Sequence, residues 1–131
     1  MPPVLMRVQC RHYFLIDEWL HSPYRPLLLP VYMADTEGLA IAHETVMYEG
    51  DEQPTQSGGW IIVHVDSGLR IHTGTLRTLY GARQAADALG EYFDWAVGLK
   101  ELQADPIMMG QTQEIVDMCA NMRAKEGDET Q

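Results

Sequence analysis

The stretch from Trp60 to Val97 leaves few folds open to this chain. It begins Gly-Gly-Trp-Ile-Ile-Val-His-Val, turns at Asp66-Ser67-Gly68, and returns through Leu-Arg-Ile-His-Thr before an alanine-rich run. Ile61, Val63 and Val65 alternate onto one side of a first strand, and Leu69 and Ile71 onto one side of a second. A two-residue loop would put Val65 opposite Arg70 and Val63 opposite His72. A three-residue loop over 66–68 puts Val65 opposite Leu69 and Val63 opposite Ile71, which keeps all five aliphatic residues on one face, so pairing register favours it. It also sets Gly68 where a left-handed residue is needed. The opposite face then carries Trp60, Ile62, His64, Arg70 and His72.

Thr78 is suited to cap a helix, because its hydroxyl can accept an amide of the first turn. Leu79, Ala82, Ala86, Leu89, Phe93 and Val97 then recur at three- and four-residue spacing, the stripe of an amphipathic helix over 78–97. Gly81 and Gly90 inside it each cost about 1 kcal/mol relative to alanine. Close approach of the helix to the sheet is a reason to carry them. Gly98 can end the helix in a left-handed cap.

Before this unit the chain reads as strands. Residues 5–16 alternate, with Met6, Val8, Cys10, His12, Phe14 and Ile16 directed to the core. Residues 17–26 read as a two-proline loop whose Trp19 and Tyr24 cover an end of the sheet. Leu27 to Met33 is a strand, and Pro30, lacking an amide, puts it at an edge or a bulge, an edge that could support dimerisation. Leu39 to Tyr48 fits strand or helix; the turns around it favour strand. Residues 49–59 are a polar loop with three acids and no base. After Pro106, which breaks anything longer, 111–123 reads as a second helix with Ile115, Met118 or Cys119, and Met122 on one side. The fold expected is α+β: an antiparallel sheet of about five strands, a long helix from the C-terminal half packed on one face, and a second helix after it. One domain spans 1–124, and 125–131 is a frayed acidic tail.

Composition narrows the function classes. The chain has 131 residues, no apolar run of transmembrane length, and no basic start followed by an apolar segment. Cys10 and Cys119 read as free buried thiols in a reducing compartment, hence the cytoplasm. With 9 basic and 19 acidic residues the formal charge is −10. Such a field argues against membrane and direct nucleic-acid contact and for a protein partner with a basic surface. The sequence contains no P-loop, dinucleotide fingerprint, hydrolase elbow, His-Glu-x-x-His or Cys-x-x-Cys. Asp17-Glu18, Asp51-Glu52 and Asp87 with Glu91 are carboxylate pairs of the kind that arise by chance in an acidic chain. No catalytic residue, metal or cofactor is assigned.

The candidate contact face is therefore Trp60, His64, Arg70 and His72, where a tryptophan beside an arginine has the makeup of an interface anchor. The general cast, Gly-Trp, hairpin, Ser-Gly-Leu, Thr78, Ala85-Ala86, Asp94-Trp95, resembles small bacterial or mobile-element proteins without pointing to one family. A non-catalytic interaction or regulatory protein is the expectation. The alternatives are a small-molecule binder or enzyme with a pocket between sheet and helix, and an inhibitor that mimics nucleic-acid charge.

Overall fold

The computed structural model describes residues 2–98, 100–101 and 105–123. The tail expected at 125–131 lies outside them. Among the described residues the chain forms strands β1 (Val4–Ile16), β2 (Trp19–His21), β3 (Tyr24–Met33), β4 (Leu39–Tyr48) and β5 (Thr55–His64), and then the helices α1 (Leu79–Tyr92) and α2 (Pro106–Cys119). The architecture is α+β, with one mainly antiparallel sheet in which β2 and β3 both pair with β1, β3 meets β4, and β4 meets β5.

The sheet curls. β1 pairs antiparallel with β3 over Val4–Arg11, yet also pairs parallel with the end of β4, where Arg11, His12 and Tyr13 meet Val46, Met47 and Tyr48. The turn after β5 closes back on β1 through Gln9 N–H to the Gly68 carbonyl, 2.9 Å. Val8, Cys10, Leu29, Val31, Ala40, Ala42, Ile61 and Val63 form one buried cluster with Val65 against it. The alternate residues of the same two strands, Leu39, Ile41, Trp60 and Ile62, join a second cluster with Ile71, Leu76, α1 residues Leu79 to Leu89, and Met108, Val116 and Cys119 of α2. The start of β4 and the end of β5 are thus buried on both faces, which is why Leu39–Ala42 and Trp60–Val63 read as unbroken apolar runs.

That double burial overturns the expected hairpin register. Val63 bridges to Arg70, not Ile71, and the Ile71 amide donates to the Ile62 carbonyl at 3.1 Å. In place of a second strand, residues 69–72 contribute a single isolated bridge, at Arg70. The five aliphatic residues are divided: Ile61, Val63 and Val65 belong to the first cluster, Ile71 to the second, and Leu69 to neither. A register rule that demands one apolar face has no force where both faces are covered. Gly68 is left-handed, with φ +73.

Several boundaries also differ. The long helix expected over 78–97 has 14 residues and ends at Tyr92. Phe93 is extended, and Trp95 turns back so that its indole Nε1–H reaches the Leu89 carbonyl at 3.1 Å. Gly98 is not the cap. A β-carbon at Gly81 would lie 2.8 Å from the Cys119 carbonyl, so this glycine admits the end of α2, not the sheet. Pro106 starts α2 where it was expected to break a helix, since a first-turn proline forfeits no intrahelical bond. Asp105 caps it. The buried side of α2 is Met108, Thr112, Val116 and Cys119, and Met118 is exposed. The loop expected at 17–26 shrinks to Asp17-Glu18 and Ser22-Pro23, and the loop at 49–59 ends where β5 begins at Thr55. Residues 39–48 are strand.

Thr78 joins the helices. Its Oγ accepts from the Gly81 amide at 3.0 Å, and its hydroxyl donates to the Met122 carbonyl at 2.8 Å. Thr78→Ala should cost about 1–2 kcal/mol, a lost cap together with an unpaired carbonyl, and Thr78→Ser should recover most of it. The urea midpoints of the three proteins measure this.

Candidate functional site

Three of the four expected contact residues are not on a surface. Trp60 stacks on His43 with centroids 3.8 Å apart and meets Tyr32 edge-on at 6.0 Å, inside the second cluster. His64 is fully buried. Its Nε2 faces the Val97 carbonyl at 2.9 Å, which can only accept, so Nε2 carries the proton and Nδ1 accepts from Ser67 Oγ at 2.9 Å. His72 is also buried, and its Nε2 accepts from the Ile62 amide at 3.0 Å while Nδ1–H donates to the Thr73 carbonyl at 3.0 Å. The open outer face that the three-residue loop implied does not form: Trp60 and His64 keep the side of β5 they were expected to share with Ile62, but the helices cover that side. The two histidines share no hydrogen-bond partner. Among the described residues, no group of three or more metal-ligating side chains converges.

Arg70 alone stays within reach of solvent. Its Nη1 pairs with Glu44 Oε2 at 2.6 Å, both side chains about a quarter exposed. Its Nε donates to the His72 carbonyl at 3.0 Å, and Nη2 to the Gly74 carbonyl. Burial alone would raise the Glu44 carboxyl, but hydrogen bonds from Ser57 and Arg70 outweigh it and hold the group below its ordinary range. The pair forms part of a groove of about 630 Å³ that also takes in Gln9, Arg11, Tyr24 and, from α2, Gln113. Its size suits a ligand. Its chemistry is quiet: Arg70 and Glu44 already spend their hydrogen bonds on each other and on the chain. Cys10 lines the groove, but burial pushes its thiol up to about 11, so it is not a nucleophile at neutral pH. Cys119 is likewise free, buried and raised by burial.

The feature that the sequence hid is the β1–β2 hairpin. Asp17 and Glu18, with φ +48 and +71, form a two-residue turn that joins the strands directly. Ile16 pairs with Trp19 and Leu15 with Leu20, so the two pairs fall on opposite faces of the ribbon. Both faces are open: Trp19 is 76% exposed, Leu20 66%, Leu15 57% and Ile16 50%. Trp19 does not cover the sheet, contrary to the expectation, and Tyr24 is exposed too, with the Arg11 guanidinium 4.0 Å over its ring. A tryptophan between two turn acids and a leucine was the available signal.

Charge is unevenly placed. Of the 19 acids only Asp17 and Glu18 fall within residues 1–34, which also hold Arg7, Arg11 and Arg25. No protein-family model matches this chain, and no curated protein or solved structure matches it either.

Proposed function

We propose that this is a small acidic, non-catalytic interaction protein that engages a protein partner through the β1–β2 hairpin. The observation that carries the reading is the exposure of Leu15, Ile16, Trp19 and Leu20 on both sides of a tightly turned ribbon. Four large apolar side chains clustered in solvent are costly for a lone soluble chain and favour contact with another surface. Tryptophan and its neighbours supply the apolar centre of such a contact, and Asp17 and Glu18 supply a rim that suits a basic surface. The spent polar groups of the groove, and the protonated Cys10 in it, fit a role without catalysis. Two free cysteines fit a reducing compartment.

A photo-crosslinking residue placed at Trp19 should capture a partner in the source cell, and one at Gln84, exposed on α1, should not. The Trp19→Ser, Leu20→Ser double variant should keep the wild-type unfolding midpoint within about 0.5 kcal/mol, as surface changes do, while a crosslinker moved to Ile16 in that background captures nothing. Equal capture from Trp19 and Gln84 would sink the reading. The groove supports a second reading, a ligand-binding protein, because its volume is within the ordinary range for small-molecule sites. Native mass spectrometry that releases a retained small molecule from the purified chain would favour it.

A further inference from the structure

We propose that the chain pairs with a second copy of itself about a two-fold axis at β2, Leu20 lying opposite Leu20 of the other copy. This rests on the hairpin reading above and names one occupant of that site. The free edge of the sheet makes the first argument. Partners on β1 keep one register through β2 and β3, from Ile16↔Trp19 and Phe14↔His21 to Arg11↔Tyr24 and Val4↔Val31. β2 and β3 therefore form one continuous line along β1. β3 meets β4 only at Tyr32 and Met33, so among the described residues no strand lies along the other side of residues 19–31.

Alternation shows which groups face that open side. The Leu15 amide points away from β2, to Glu49 Oε2 at 3.3 Å. Leu15 and Leu20 are thus a pair without mutual hydrogen bonds, and Leu20 directs its own N–H and C=O outward. The next outward positions are Ser22, Tyr24, Pro26, Leu28 and Pro30. Prolines 26 and 30 delete two of the outward amides, the usual guard on an exposed edge. The Ser22 carbonyl is taken by Arg11 Nη1 at 2.7 Å. Among the described residues of this line, β2 is the strand that no proline guards.

Charge selects the register. Antiparallel pairing centred on Leu20 puts Trp19 opposite His21 of the second copy and brings the turn residue Glu18, just past the strand, alongside Ser22. The Ser22 carbonyl is where the Arg11 guanidinium sits. Each copy therefore brings Glu18 to the other's Arg11, and Asp17 toward Pro23, two residues from Arg25. The contact is self-complementary, as a two-fold interface must be. It also seats apolar residues of both copies side by side.

Light scattering across a concentration series, together with one engineered thiol, tests this. The wild-type chain should approach twice 14.8 kDa as concentration rises. Directly opposed residues in such a pair stand about 5.5 Å apart, within disulfide reach. Leu20→Cys should therefore form a cross-copy disulfide under mild oxidation, and Leu28→Cys, exposed on the guarded part of the edge, should not. Glu18→Arg should weaken association about tenfold, and adding Arg11→Glu should restore it, the pattern of a direct charge pair. A mass that stays at 14.8 kDa, equal disulfide yield from the two cysteine variants, or no rescue by the second reversal each overturns the proposal. A monomer that still crosslinks another protein from Trp19 would leave the broader hairpin reading standing.

Discussion

Gly38→Ala should destabilise the protein by about 4 kcal/mol, the largest effect expected of any single methyl group added to it. Two costs combine. Gly38 has φ +92, where an L side chain is strained by about 1–3 kcal/mol. Its β-carbon would also lie 2.8 Å from the Ala96 nitrogen and on top of the Trp95 carbonyl. Overpacking of that kind costs about 1–3 kcal/mol, and here the obstacle is backbone, which cannot swing aside as a side chain does. The site is one where displacement would spread. The Gly38 carbonyl accepts from the Val65 amide at 2.8 Å, and Trp95 is fully buried with its indole on the end of α1. Moving the β3–β4 turn therefore disturbs both the exit of β5 and the helix terminus. Gly50→Ala separates the two costs. Gly50 has φ +84, but no heavy atom lies within 4 Å of its would-be β-carbon, so about 1 kcal/mol is expected there. Urea unfolding with unchanged slopes should rank the two far apart. Equal losses would mean that the Trp95 contact contributes nothing.

The sequence was legible where one face of an element is covered, and misleading where two are or none is. β1 could be read from alternation, β4 from the turns on either side of it, and the Thr78 cap and the α1 stripe from hydroxyl placement and 3.6-residue spacing. The return from β5 could not. Ile61 and Val63 belong to one cluster, and Trp60 and Ile62 to the other. With hydrophobic residues wanted on both sides, either register satisfies the pattern; the return slipped by one step, and the supposed outer face that carries His64 lies under the helices. The end of α1 was missed for a different reason. Phe93 and Val97 continue the stripe, but Trp95 finds a better place against the helix end than a further turn would give it. The hairpin patch was invisible because alternation says which residues share a face and never whether anything lies over that face. Trp19 in a short turn segment looked like a lid. Of the expected site only Arg70 reaches the surface, and it does so as the partner of Glu44, a residue whose spacing in sequence carries no hint of the pairing.

Acidification should expose the internal role of His72. Burial is the main reason that its ring resists protonation, lowering it to about 4; Arg70 adds to that, while the Thr73 carbonyl, Asp117 and Glu44 pull the other way. The hydrogen bonds require the same neutral ring: Nε2 must keep a lone pair to accept the Ile62 amide, and a proton there would set donor against donor in the core. In the unfolded chain the ring titrates near its ordinary value, about 6.5. The unfolded state therefore takes the proton first. The stability that neutral His72 contributes is complete above about pH 6.5 and is lost as pH falls from there toward 4. At 1.36 kcal/mol per unit, the loss over that window is on the order of 3 kcal/mol, a large part of a small domain's total. His43, lowered by burial, adds in the same direction, and Glu44, held low by its partners, extends the decline below its unfolded value. His72→Gln isolates the effect, because an amide oxygen can accept the Ile62 N–H and does not titrate. At pH 7 this variant should lose about 1 kcal/mol, the scale of one imperfectly replaced hydrogen bond. Between pH 6.5 and 4 its stability should fall much less steeply than that of the wild type, so that the two curves converge and cross. Parallel curves over that range would show that the ring is already charged, or already free, in the folded protein.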